Sequence, residues 1–324
     1  MSYFSPFLVN MDGDEHAAAR RRLIGEFSIR KMTAFRPIIS SIVREAMNDL
    51  LDQDPPADFV EHFSNAIPNQ ILSKLTGIPE TDLIQVERNT QEMLHGTDTE
   101  EEQRIASDRL HAHLSDVVAA KAKAPSDDLL SRLISDSTDR KGAVDSFEIA
   151  SVIQLLQVAG HASSSAMISL SLITLSEHPE QFEALRRNPR LIPSAVEELL
   201  RFLSITDTGP LRLAVDDVEL DGYVIKSGEG MVIPTLPANR DGAYYDEPDT
   251  FDIARKPAHR HIAFGFGAHQ CLGQNLVRIE LEEVLSSIIH QSPSLRLYDS
   301  LDEISFRYFG QFFGPAELRV TWDR

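Results

Sequence analysis

From Phe147 to about His178 the sequence FEIASVIQLLQVAGHASSSAMISLSLITLSEH stays compatible with one helix. It begins after Asp145, with Glu148 three residues on as a capping box, and it ends at Pro179. At ~1.5 Å per residue such a helix spans on the order of 45 Å, enough to cross a whole domain. Its apolar residues fall nearly all round, as in a buried helix, so the rest of the chain must be built about it. Gly160 and the run Ser163, Ser164, Ser165 sit oddly in its middle. Glycine costs a helix interior ~1 kcal/mol, and three adjacent hydroxyls need partners if buried. A local conflict inside an otherwise consistent helix points to a site, with a helix–helix contact through small residues as the alternative.

Helical periodicity also runs from about His16 to Leu51 and from Phe59 to Leu75, with TGIPETD (Thr76 to Asp82) as a stop and restart. Two more polar helices are expected around Leu83–Leu94 and Glu101–Lys123, and the acidic stretch Ser126–Asp145 reads as a separator. Alternating runs in the final third, LAVDDVEL with YVIKSGEGMVIPTL and later LRVTW, read as strands of a small sheet. The fold class is mainly α with a minor β part. Hydrophobic residues, 42% of the chain, show no break in distribution, so residues 1–324 are expected to form one large unit. No apolar run is read as reaching the roughly 20 residues that cross a bilayer, and Met1 to Asn10 lacks the pattern of a signal peptide. A soluble, cytoplasmic protein without membrane attachment is the expectation.

A net charge of −19 argues against a nucleic-acid partner. The acid is uneven, however. Arg20, Arg21, Arg22, Arg30 and Lys31 make the first fifty residues nearly neutral, and with Arg278 they form a candidate docking patch. The alternative is a set of solvated helix faces.

Cys271 is the only cysteine, so it forms no internal disulfide and is either a small buried apolar residue or a ligating thiol. In IAFGFGAHQCLGQNLVRIELEEVL it ends a glycine-rich loop just before an amphipathic helix carrying Leu276, Ile279, Leu281, Val284 and Leu285. Backbone N–H groups at a helix start stabilise a thiolate, as does a bound metal. Gly265, Gly267 and Gly273 permit tight turns and close approach of a flat cofactor. His269 and Cys271 alone would give zinc only two ligands, too few for a structural site.

FGFGAHQCLG (Phe264 to Gly273) resembles the cysteine-ligand loop of the cytochrome P-450 family, with Phe264, Gly267, Cys271 and Gly273 at matching spacing. EELLR matches the family's Glu-x-x-Arg pair as Glu198 and Arg201, and ANRD, which includes Arg240, matches the meander that this arginine ties down. The resemblance implies haem b, iron held by the Cys271 thiolate, and structural roles for Glu198, Arg201 and Arg240. It further implies His16 and Arg20 of DEHAAAR, Arg212, His261 and, more weakly, His269 as partners of the haem propionates. LQVAGHASSSA looks like the family's oxygen-binding stretch, placing Ala159 and Gly160 beside the iron with Ser163 as the proton relay.

Two departures stand out. The family's usual acid is Ala162 and its usual threonine is Ser163, so a hydroxyl remains without its carboxylate. The serines also fit a plainer role, bonding carbonyls one turn back. His161 points to another side of the helix and is not taken as the missing acid. The pattern's usual opening strands and helices have no counterpart before His16, so the chain is expected to be shortened at its N-terminus. By resemblance this is a monooxygenase that inserts one atom of O2 into a small organic or carrier-bound substrate, with a natural-product scaffold by analogy. Electrons would come from NAD(P)H through a ferredoxin or flavin reductase. Substrate contacts are expected from Leu155, from Ile205 within Ser204–Leu211, and from Phe312 and Phe313 in YFGQFFGP. Two alternatives stay open: a peroxide-dependent or radical-coupling haem enzyme, favoured by Ala162, and a non-catalytic accessory protein that stabilises a partner enzyme.

Overall fold

Chain punctuation sets most of the helix boundaries in the computed structural model, which describes residues 8–95, 99–206, 209–256, 260–309 and 312–323. The expected run from His16 to Leu51 is two helices, α1 (Gly13–Ile24) and α2 (Ile29–Leu51). Ser28 starts the second from an extended conformation and donates its hydroxyl to the Gly25 carbonyl at 2.9 Å. A short strand, β1 (Ala57–Asp58), follows, then a π-helical turn at Val60–Ser64 and α3 (Ala66–Thr76). Gly77 ends α3 at φ 83°, where a Cβ would lie 2.2 Å from the Asp128 carboxyl carbon, so only glycine fits.

Next come α4 (Glu80–His95) and α5 (Glu100–Lys121), close to expectation. The acidic stretch read as a separator contains α6 (Leu129–Lys141), capped by Asp128, whose carboxylate accepts the Ser131 N–H at 2.7 Å. The long central helix is α7 (Ser146–Glu177), with Asp145 accepting the Glu148 N–H at 3.0 Å. Two further helices, α8 (Pro179–Arg187) and α9 (Ile192–Leu203), lead to short strands β2 (Leu211–Leu213), β3 (Val218–Leu220), β4 (Tyr223–Ile225) and β5 (Gly230–Val232). The remainder is α10 (Thr235–Asn239), α11 (Gln274–Gln291), β6 (Arg296–Leu297), β7 (Phe306–Phe309), β8 (Phe312–Pro315) and β9 (Arg319–Thr321).

The β part is several small antiparallel pieces rather than one sheet. β2 pairs with β5, β3 with β4 and β7 with β8, while β9 lies between β1 and β6. The run YVIKSGEGMVIPTL therefore splits between two ribbons.

α7 belongs to both apolar cores. Its first half buries Ile149, Ile153 and Val158 with Leu110, Leu114, Leu130 and Leu133 of α5 and α6. The second half buries Met167, Ile168, Leu172 and Leu175 with residues of α2, α3, α9 and α11. At roughly 1.5–3 kcal/mol per fully buried large apolar side chain, this packing rather than helix propensity holds α7 in place between the two cores. By length and composition α7 is also apolar enough to cross a membrane, contrary to the sequence expectation; 83% of its most apolar window is buried inside the protein.

A charged cluster closes the core around α9. Glu198 and Arg201 have fully buried side chains and pair with two contacts of 2.8 Å. Arg201 also donates to the carbonyls of Asn239 and Pro248, each at 2.8 Å, and to that of Thr250 at 3.3 Å. Glu198 accepts from Arg255 at 3.1 Å and from the Asp252 N–H at 3.0 Å. Arg240 extends the tie, donating to the Phe202 carbonyl at 2.9 Å and to Asp249 at 3.0 Å. Removing one partner leaves an uncompensated buried charge, which costs about 3–5 kcal/mol. Arg201→Ala is therefore expected to lower urea-unfolding stability by about that amount; a loss below about 1 kcal/mol, the scale of an exposed pair, would show that the cluster is not structural.

Candidate functional site

The middle of α7, where sequence and helix propensity conflict, faces the start of α11 across an apolar cavity of about 250 Å³. Its walls include Leu155, Ala159, Gly160 and Ser163 of α7, Leu72 of α3, His16 and Arg20 of α1, and His269, Cys271 and Gly273. Gly160 lies close against α3: a Cβ there would meet Leu72 Cδ1 at 3.0 Å, so the leucine side chain would have to give way.

Cys271 opens onto this cavity yet is enclosed by protein on its other sides. Its N–H donates to the Phe264 carbonyl at 2.9 Å, closing the loop in which Gly265 (φ 69°) and Gly267 (φ 85°) take left-handed turns. Burial pushes the Cys271 thiol up, opposed by the N–H groups of Gly273 and Gln274 at the start of α11 and by the charges of Arg20 and Arg278. This donor set favours the anion once a cation shares its desolvation.

One edge of the cavity is cationic. His16 is buried, stacks on His269 at 4.0 Å between ring centroids, and has an Nε2 with no hydrogen-bond partner among the described residues. Burial, then the charges of His269 and Arg20, pull the His16 pKa down. Arg20 donates to the Gln270 carbonyl at 2.5 Å. His269 bonds Asp12 at 2.9 Å; that hydrogen bond, with further pull from the charges of His269, His16 and Arg212, holds the Asp12 carboxyl low. Arg212 thus lies near this edge without lining the cavity.

A flat, iron-bearing, dianionic group such as haem fits these residues: a single thiol in one wall, small residues opposite, and an orphaned imidazole nitrogen beside an arginine at the edge. No cluster of three or more His, Cys, Asp or Glu exists among the described residues, so Cys271 is the protein's one soft candidate ligand there.

Other expected residues lie elsewhere. His261 does not line the cavity; its Nε2 pairs with Glu197 at 3.1 Å and its Nδ1 accepts the Ala263 N–H at 3.2 Å. Ile205 and Phe313 meet, the Phe313 N–H donating to the Ile205 carbonyl at 3.4 Å, and Phe312 bridges the adjacent Thr206, but none of the three lines the cavity. Asp207 and Thr208 of the segment Ser204–Leu211, and Gly310 and Gln311 of YFGQFFGP, lie outside the described residues. The basic patch is engaged in part: Arg22 pairs with Asp136 and Glu148, Lys31 with Glu26 and Arg278 with Glu197, Arg20 faces the cavity, and Arg21 and Arg30 are exposed.

The three serines divide their hydroxyls. Ser163 donates to the Ala159 carbonyl at 2.6 Å, Ser165 to Asn65 at 2.5 Å, and Ser164 to Glu280 Oε2 of α11 at 3.0 Å. Ala162 is buried and offers no acid. His161 is buried toward Asn65, outside the cavity wall, and desolvation lowers its pKa to about 4.

Glu280 was not anticipated. It lines the cavity, its Oε1 is buried without a hydrogen-bond partner among the described residues, and burial raises its pKa to about 8, against the pull of Ser164. The signal was present in sequence: Glu280 lies four residues from Leu276 and from Val284, both buried, inside the apolar stripe of α11.

Because the folded-state pKa of Glu280 is raised, its proton stabilises the native state fully below the unfolded pKa near 4.5, and that stability is lost as pH rises toward 8. Glu280→Gln removes the effect. Relative to wild type, the variant should gain about 1 kcal/mol or more in urea-unfolding stability between pH 5 and pH 8.5. A stability difference constant across that range would show that Glu280 is ionised in the fold.

The profile of the cytochrome P450 family matches residues 97–291. Pentalenic acid synthase of Streptomyces avermitilis is 42% identical over 97% of this chain and 77% of its own length. Cytochrome P450 MoxA of Nonomuraea recticatena superposes with a TM-score of 0.90 at 41% identity, over 98% of this chain and 79% of that one. The mycinamicin VIII C21 methyl hydroxylase MycCI of Micromonospora griseorubida, solved with mycinamicin VIII bound, gives a TM-score of 0.91 at 36% identity, over 97% and 80%.

Proposed function

The chain belongs to the cytochrome P450 family of haem-thiolate monooxygenases, and we propose that residues 1–324 act as one unit that hydroxylates a small natural-product scaffold in the cytoplasm. NAD(P)H supplies the electrons, passed on by a ferredoxin or a flavin reductase. The observation that carries this reading is Cys271 in the wall of an apolar cavity, at the start of α11 and opposite Ala159, Gly160 and Ser163. Support for the substrate class comes from the relatives, one named for pentalenic acid synthesis and one solved with a mycinamicin.

Haem, when bound, supplies dioxygen activation, with the electron-rich sulfur favouring O–O cleavage. In this reading Cys271 holds the iron, while His16, Arg20 and His269, with Arg212 nearby, hold the propionates. Leu155 and the apolar cavity wall position the substrate. Protons are the harder requirement, because Ala162 has no carboxylate and the Ser163 hydroxyl is engaged with the Ala159 carbonyl. Glu280 offers a second source: Ser164 donates to Oε2, leaving Oε1 to carry the acid proton. Ser163 becomes a relay by turning from the Ala159 carbonyl.

The same Ser163 contact favours a second reading, a peroxide-dependent oxygenase, since peroxide brings the protons and electrons that the relay would otherwise deliver. Product formed per NADH consumed separates the two. Under the monooxygenase reading Ser163→Ala and Glu280→Gln release peroxide at the expense of product, and Ala162→Glu raises coupling, with a positioned acid worth ~10²-fold in proton transfer. Coupling insensitive to all three changes, together with full turnover on peroxide alone, replaces it with the peroxide-dependent reading.

A further inference from the structure

Two consecutive glutamates on α9 face different partners. Glu198 holds the meander, as described above; Glu197 reaches the cysteine loop and α11. Its Oε1 accepts from Arg278 Nε at 2.6 Å, its Oε2 from Arg278 at 3.3 Å, and Oε2 also from His261 Nε2 at 3.1 Å. The carboxylate is half-enclosed, yet hydrogen bonds from His261 and Arg278 outweigh burial and lower its pKa to about 2, so it is ionised throughout the working range. The His261 ring is held between the Ala263 N–H on Nδ1 and Glu197 on Nε2, which fixes the tautomer with hydrogen on Nε2.

Arg278 connects this cluster to the sulfur. Its guanidinium stacks over the Phe264 ring at 4.7 Å, and the Phe264 carbonyl accepts the Cys271 N–H at 2.9 Å, so Phe264 lies between the cation and the cysteine backbone. We propose that Glu197 is a positioning residue that neutralises Arg278 beside Cys271 and so sets the electron-donor strength of the sulfur, while its bond to His261 holds the loop in register. This rests on Cys271 being the iron ligand.

The physical consequence is a sign pattern. Removing the Glu197 carboxylate unmasks a cation near the sulfur, which favours the state with one more electron. Removing the Arg278 guanidinium unmasks an anion, which disfavours it. A merely structural role has no such opposition, since both changes loosen the same loop.

The test is the ferric–ferrous midpoint potential of haem-loaded protein, measured in wild type, Glu197→Gln, Arg278→Gln and the double variant. Glu197→Gln should raise the potential, Arg278→Gln should lower it, and the double variant should return toward wild type. Shifts of the same sign, or no shift, overturn the inference. Should Glu197→Gln not retain haem, Arg278→Gln decides alone, a fall supporting the inference and a rise or no change overturning it. The carbonyl spectrum of wild type keeps the two levels apart: a thiolate-type band with same-signed shifts sinks this inference only, whereas its absence sinks the ligand reading and this inference with it.

Discussion

The buried Glu198–Arg201 pair is the constraint on which the rest of this structure depends. Two charges without solvent contact survive because nearly all of their hydrogen-bonding capacity is used: Arg201 on Glu198 and three carbonyls, Glu198 on two arginines and a backbone N–H. One of those carbonyls, that of Asn239, ends α10, and the other two, of Pro248 and Thr250, belong to the irregular chain after it, so the pair gives a segment with little secondary structure a defined path. Asn239 carries the effect onward, its side chain donating to Ser204 at 2.7 Å and accepting the Ile262 N–H at 2.8 Å, two residues before the cysteine loop begins at Phe264. Cys271 is thereby placed by α9 as much as by its own helix.

The second organising feature is the interruption in α7. Several other hydroxyls along this helix bond back by one turn, as Ser171 does to Met167 at 2.6 Å and Thr174 to Leu170 at 2.8 Å. Ser163 follows that habit, but Ser164 and Ser165 reach other elements, and Gly160 admits Leu72. Polar bonds that leave the helix also occur nearer its start, where Gln154 donates to Ser107 at 3.0 Å and Ser151 meets His111 at 3.1 Å, but only at the level of the cavity do they join α7 to α11 among the described residues. The cavity therefore lies where the two apolar cores meet, and a rigid helix common to both fixes its far wall against Cys271.

Much of this was legible in the sequence, and the gaps have physical causes. α7 was clear because its cap, length and all-round apolarity agree; the cysteine loop was clear because its glycines and single thiol have few other uses. α6 was missed because its apolar residues, Leu129, Leu130, Leu133 and Ile134, crowd into its first half and the remainder is hydroxyl-bearing or charged. Glu280 was hidden among Glu282 and Glu283, which pair with Arg36 as surface acids do. Burial distinguishes them, and burial depends on what α7 brings opposite. The basic patch was legible only as charge, because a sequence does not show that the fold sets carboxylates against Arg22, Lys31 and Arg278 and leaves Arg21 and Arg30 exposed. His261 is similar, since its partner Glu197 is far away in sequence.

The account's central claim is that Cys271 holds iron as a thiolate. It is tested most directly by the carbon-monoxide difference spectrum of the reduced, haem-loaded protein, recorded for wild type beside Cys271→Ala. The account predicts a strongly red-shifted, thiolate-type Soret band in wild type that is absent from the variant. A histidine-type band in wild type, or a band unchanged by loss of the sulfur, would contradict it.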